Sequence, residues 1–398
     1  MKVSPLTLLY LALLSMLGFI ATDMYLPAFK AMEQSFATGP EAIALSLSIF
    51  LAGLAMGQIV WGILSDRFGH ARMLFAGLVI FTIASLGLAF SQSVWQLLAL
   101  RFVQAIGVCA PTVIWQAMVI DRYESKVSQQ IFATIMPLVA LSPALAPQLG
   151  VQLANHFGWP SIFMALTVIG VLLALATLKQ PHSARQSNPE PLARAMKNLV
   201  SNRAYLGNVM IFASASAAFF AYLTGMPEIM AKMGYSPDDI ASSFIPQTIA
   251  FIVGGYGGKW AVQRFGEGIV LRLMLSLFSL SALTILAASQ SGISQIWPLL
   301  SPFCLIAVAN GAVYPIVVNR ALSQAKESPA MAAGLQNSLQ ICLCSLASAI
   351  VARFASQALS VTGIVIAVCF VTLWCGYFLA KRPAQNAAPL NQVASDKL

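Results

Sequence analysis

Residues 62–72 read Gly62-Ile-Leu-Ser-Asp66-Arg67-Phe-Gly69-His-Ala-Arg72, and this short polar break decides the fold. It separates two apolar runs, each near the ~20 residues that cross a bilayer. Its glycines permit a tight turn between helices. Asp66 can accept from the amides of a helix N-terminus or pair with an arginine. A weaker copy follows later, where Gly258 precedes Arg264-Phe265-Gly266 and Gln263 stands in place of the aspartate. One turn used twice, six apolar runs apart, points to a chain of two related halves.

Composition agrees. Hydrophobic residues make up 59% of the 398 and charged residues only 9%, against roughly 25% charge in a soluble domain. A disordered chain could not carry so much apolar side chain. The runs predict an all-α membrane protein with twelve transmembrane helices, at roughly 6–29, 41–63, 72–91, 94–119, 131–153, 159–179, 204–231, 239–263, 269–290, 294–320, 329–355 and 361–380. Twelve spans and short loops leave no room for a soluble domain.

The 22 Lys and Arg residues test that count. With twelve spans, eighteen fall on one side. Lys30, Lys232 and Arg353 fall on the other, and Arg101 lies inside span 4. This asymmetry places both termini in the cytoplasm. It also explains the net charge of +9 without a nucleic-acid partner. The division expected is an N-terminal six-helix bundle at 1–180, a cytoplasmic linker at 181–203, a C-terminal six-helix bundle at 204–381 and a polar tail at 382–398. The linker carries a short amphipathic helix near Leu192–Leu199. The first run lacks a small-residue cleavage site and is expected to stay as a helix.

Enzyme chemistry is not expected. The six cysteines lie inside apolar runs with no disulfide or metal spacing, and Cys342 and Cys344 point to different sides of a helix. His70, His156 and His182 fall in loops. No Ser/His/Asp set, metal cluster or phosphate loop stands out, and no cofactor is implied.

The interior of the first half holds two full charges, Asp23 in span 1 and Arg101 in span 4. A charge within a span costs about 2.5–3.5 kcal/mol on insertion scales, so it needs a partner or water. The two lie at similar depth and are expected to face each other across a central cavity. Arg101, Gln104, Val108, Thr112 and Trp115 share one face of span 4, which is expected to line that cavity. Gln116 and Asp121 follow toward the inner end, where Asp121 reads as a loop charge. Span 5 holds Pro143, Pro147 and Gly150. The second half has no deep charge. It offers amides and rings instead: Phe219, Phe220, Tyr222, Gln247, Asn310, Tyr314, Gln336, Asn337 and Gln340. Buried amides need partners, so this set suits a neutral, planar, hydrogen-bonding cargo.

Gly62–Arg72 resembles the cytoplasmic loop signature of the major facilitator superfamily. Ala21-Thr-Asp23-Met-Tyr25-Leu-Pro27-Ala28, Arg101-x-x-Gln104-x-x-Gly107 and Leu145-Ala-Pro147 resemble the Bcr/CflA branch of drug–proton antiporters. Pro147-x-x-Gly150 resembles the antiporter signature, although Val151 replaces its second glycine. Arg101–Cys109, Val113–Ala117, Ile135–Val139, Pro246–Phe251, Ala309–Ala312 and Tyr314–Val317 are most similar to carriers of purine nucleosides within that branch. The resemblance implies a proton-coupled carrier, a monomer in the bacterial inner membrane, moving purine nucleosides by alternating access. Export of drugs such as bicyclomycin-like compounds is the alternative. It implies Asp23 and Arg101 as the proton-coupling pair, with Gly62, Asp66, Arg67, Gly69 and Arg72 as a latch for the outward-open state. The expected cargo contacts are Asp23, Gln104, Trp115, Gln116 and the amide and aromatic set of the second half.

Overall fold

The computed structural model describes residues 3–139, 141–180, 192–291, 295–325 and 327–381. The described residues are helical, without strands. In chain order the helices are α1 (Pro5–Asp23), α2 (Phe29–Ser35), α3 (Pro40–Phe68), α4 (His70–Ala89), α5 (Val94–Arg122), α6 (Ser125–Val139), α7 (Ser142–Phe157) and α8 (Pro160–Leu178). They continue as α9 (Leu192–Ser201), α10 (Arg203–Lys232), α11 (Pro237–Phe265), α12 (Glu267–Gln290), α13 (Trp297–Ser323), α14 (Pro329–Arg353) and α15 (Ala358–Lys381).

Local sequence sets the helix ends. Ser4, Ser93 and Asn202 cap α1, α5 and α10 by accepting from backbone amides, and Ser236 with Asp239 forms a capping box on α11. The repeated Arg-Phe-Gly strings become one structure used twice. Gly69 (φ 94°) alone joins α3 to α4, and Gly266 (φ 82°) alone joins α11 to α12. A side chain is strained at such a φ, so each copy needs glycine there.

Among the described residues, ten helical segments are long and apolar enough to cross a membrane, the first running from Pro5 to Ser35. The two remaining expected spans differ for identifiable reasons. Span 5 is described as two helices, α6 ending at Val139 and α7 beginning at Ser142. Pro143 opens α7 and cannot continue a helix from before it. Helix α11 is 29 residues long, but Asp239, Ser242, Ser243, Gln247 and Lys259 lower its apolar content. Span 1 is also interrupted, since α1 ends at Asp23 and a short turn, Leu26–Ala28, leads into α2. The expected linker helix is present as α9, with Leu199 buried. The rest of the linker before it and the tail at 382–398 lie outside the described residues.

The same pairings recur in both six-helix bundles. Helix α3 packs on α5, α4 on α5 and α4 on α8, just as α11 packs on α13, α12 on α13 and α12 on α15. Outward faces carry apolar side chains such as Ile83 (64% exposed) and Leu280 (66%). Water would penalise these; lipid tails do not. Backbone hydrogen bonds are met within each helix, so polar side chains are left to decide what happens inside.

Candidate functional site

The loop between α3 and α4 reaches across to the other half. Asp66 receives the Ala330 amide on Oδ1 at 3.0 Å and the Met331 amide on Oδ2 at 2.7 Å. These amides belong to the first turn of α14, where donors lack intrahelical partners and the helix dipole favours an anion. Gly62 lies against the Ala330 carbonyl and Gly334 against the Gln58 carbonyl, so a side chain at either position would collide with backbone. Ser338 donates to the Ala55 carbonyl at 3.3 Å further along. Arg67 and Arg72, expected in the latch, are exposed.

His70 was expected in a loop and Asp121 as a loop charge. The structure buries His70 and joins the two. His70 Nε2 lies 2.6 Å from Asp121 Oδ2 on α5, and Nδ1 lies 2.7 Å from Ser65 Oγ. No spacing could reveal this, because residues 70 and 121 meet only through helix packing.

A second seam joins α6 to α11 and α13. Lys259 donates to Thr134 Oγ1 at 2.7 Å, and Asn319 donates to the Ser125 carbonyl at 3.3 Å. Gly255 lies against Pro137. Both seams lie toward the inner ends of their helices and close the halves on one another there.

The charge pair is not formed. Arg101 is fully buried, but Asp23 makes no ion pair or hydrogen bond with a described residue. Arg101 Nη1 donates to the Ala21 carbonyl at 3.2 Å and to Gln104 Oε1. Gln104 in turn donates to Ser85 Oγ at 2.8 Å. The guanidinium carbon lies 4.0 Å from the ring centres of both Tyr25 and Phe50. The polar face of α5 is therefore packed against α1 and α4, not open to a cavity as expected. Gln104 is met on both amide atoms, whereas Arg101 keeps Nε and Nη2 without a hydrogen-bond partner. Trp115 is also buried, edge-on to Phe132 at 5.3 Å, so its ring face is not presented to a cargo in this state. Gln116 is buried with Oε1 unpartnered.

The second-half residues gather along α10. Asn310 donates to the Ala215 carbonyl at 3.2 Å, and Gln340 donates to Ser216 Oγ at 3.1 Å. Tyr314 stands edge-on to Phe212 at 5.0 Å and to Phe251 at 5.7 Å. Phe219 stacks on Phe303 at 5.4 Å, and Tyr222 stacks on the same ring. Phe220 is 42% exposed and stands edge-on to Phe219 at 6.3 Å. Buried amide atoms remain unpartnered on Asn310 (Oδ1), Gln336 (Nε2 and Oε1) and Gln247 (Oε1). Asn337 is buried on α14 beside them. No group of three or more His, Cys, Asp or Glu able to hold a metal occurs among the described residues.

The Major Facilitator Superfamily profile matches residues 11–352. The chain belongs to this superfamily. Its curated relatives include a bicyclomycin resistance protein homolog of Haemophilus influenzae, 26% identical over 83% of this chain and 84% of the relative. The multidrug resistance protein MdtL of Shewanella oneidensis is 22% identical over 81% of this chain and 83% of its own. Among solved structures, the Escherichia coli fucose:proton symporter FucP superposes with a TM-score of 0.74 at 15% identity, covering 95% of this chain and 99% of that one. The superfamily fold, a multi-pass location in the bacterial inner membrane and a transporter that is not an enzyme follow. The resistance-protein relatives support placement beside the Bcr/CflA-like antiporters.

Proposed function

We propose that this major facilitator is a proton-coupled carrier of small, neutral solutes that present several hydrogen-bonding groups. The observation that carries the reading is a set of buried, uncharged amides on α11, α13 and α14. Asn310, Gln336 and Gln247 keep amide atoms unpartnered in buried positions, each costing about 1–3 kcal/mol unless a cargo or water meets it. A cation exporter would be expected to offer carboxylates there, and none lies among these residues. The relatives named for bicyclomycin and multidrug resistance favour drug export as the direction and cargo. Purine nucleosides form the second reading. The same amides could read the edge of a base, and Phe219 and Tyr222 offer ring faces beside them.

Asp23 is the proton-exchanging group in this proposal, being half-buried and unpaired at the end of α1. Alternating access then moves the halves about the two inner seams. Proteoliposomes carrying the purified protein separate the readings. Proton-gradient-driven movement of bicyclomycin, with no movement of labelled adenosine or inosine, selects export; the reverse selects the nucleoside. Transport of neither by protein whose melting temperature they also leave unchanged overturns the proposed cargo class. Asn310→Leu and Gln336→Leu should each weaken cargo affinity at least tenfold. Asp23→Asn with an unchanged pH dependence would remove the coupling role.

A further inference from the structure

Arg101 poses an electrostatic problem that the transport scheme above leaves open. Its guanidinium is fully buried, and among the described residues no carboxylate lies within ion-pair distance and Nε and Nη2 have no hydrogen-bond partner. A charge in such surroundings needs compensation. Two rings supply it. Tyr25 and Phe50 each face the guanidinium carbon at 4.0 Å, so the cation is sandwiched between two negative ring faces. Tyr25 is anchored, its hydroxyl 3.0 Å from Ser46 Oγ on α3. Gln104 and Ser85 hold the guanidinium from another direction.

Tyr25 follows Asp23 by two residues, in the interruption between α1 and the turn at Leu26–Ala28. That interruption is braced by α7, because Gly150 lies against the Met24 carbonyl with no room for a side chain. Few other titratable groups face Asp23. Of the helices packed on α1, α5 brings Arg101, while its Cys109 thiol donates to the Leu54 carbonyl of α3. Lys126 stands at the start of α6 and Asp121 and Arg122 at the end of α5, all away from Asp23; His156 is exposed six residues beyond Gly150 on α7, and α8 has none between Pro160 and Leu178. Lys30 and Glu33 on α2 pair with each other at 3.0 Å.

We propose that Tyr25 and Phe50 form an aromatic clamp that keeps Arg101 charged yet apart from Asp23, and that opening the clamp lets the two charges meet. While the clamp is shut, the Asp23 carboxylate is free to exchange its proton. When it opens, the unpartnered Nε and Nη2 become available to that carboxylate. Tyr25 and Phe50 are positioning residues that act through Arg101. The inference rests on the coupling role proposed for Asp23.

The test is the pH profile of transport in proteoliposomes for the wild type, Phe50→Leu, Phe50→Tyr and Asp23→Asn. Phe50→Leu keeps bulk but removes a ring face. The released guanidinium should then favour ionised Asp23, moving the pH of half-maximal transport down by about one unit. Phe50→Tyr should return it to the wild-type value. A packing role alone would change rate or melting temperature without moving the midpoint, and that result overturns the clamp. If Phe50→Leu does not fold, Ser46→Ala removes only the anchor of Tyr25 and should shift the midpoint in the same direction by less. Asp23→Asn separates the two ideas. An Asp23→Asn profile like the wild type defeats the coupling role. Loss of pH dependence in Asp23→Asn, with no midpoint shift in Phe50→Leu or Ser46→Ala, defeats the clamp alone.

Discussion

The two inner seams occupy related places in the two halves but use different chemistry. Across α3 and α14, a carboxylate accepts from two amides of a helix N-terminus, and backbones meet at Gly62 and Gly334. Across α6 and α11, an ammonium donates to a hydroxyl, and Asn319 adds a neutral hydrogen bond to Ser125. Repetition fixed the helix–glycine–helix frame of each half but not its grip on the other. Where the first copy has Asp66, the second has Gln263, and the cross-half contact passes instead to Lys259 further back along α11. The first seam is therefore the stronger and the more specific. Each seam has one ionised partner, but Asp66 takes two amides that lack intrahelical partners, where Lys259 gives one bond to a hydroxyl, and a backbone-to-backbone approach tolerates no added atom.

Hydrogen exchange at the first turn of α14, around Ala330 and Met331, reports how firmly the first seam is closed, and that of α6 reports the second. The largest effect is expected from Gly334→Val, whose side chain would meet the Gln58 carbonyl. It should cost the closed inner seam about 3 kcal/mol, seen as a hundredfold or greater loss of α14 protection and near-complete loss of transport. Asp66→Asn comes next, at about 2 kcal/mol, or roughly 30-fold in protection. Lys259→Met should cost about 1 kcal/mol, roughly fivefold, read on α6. Asn319→Ala should be smallest, near a twofold change or about 0.5 kcal/mol. A larger effect for Lys259→Met than for Asp66→Asn would reverse the ranking of the seams. Equal effects would mean that helix-terminus capping adds nothing to the first.

Much of the architecture was legible before any coordinates. The sorting of lysines and arginines gave the topology, and the Arg-Phe-Gly strings marked both glycine-joined turns. The candidate residues fared unevenly, for a physical reason. Periodicity places Arg101 and Gln104 on one face of α5, but it cannot say whether that face meets water or another helix. Here Ser85, Tyr25 and Phe50, drawn from three other elements, close over it. Phe50 looked like one apolar residue among many, and His70 like a loop residue. Each acquired meaning only from a neighbour about fifty positions away.

The sequence by itself determined which segments prefer lipid, which ends face the cytoplasm and where the chain repeats. Those are properties of single residues and their local spacing, summed along the chain. Only the tertiary structure decided that Asp66 grips α14, that Asp23 and Arg101 stand apart and that two rings replace the expected carboxylate. A buried charge takes whatever partner the packing of several helices brings within about 4 Å, and that choice is not written in any one of them.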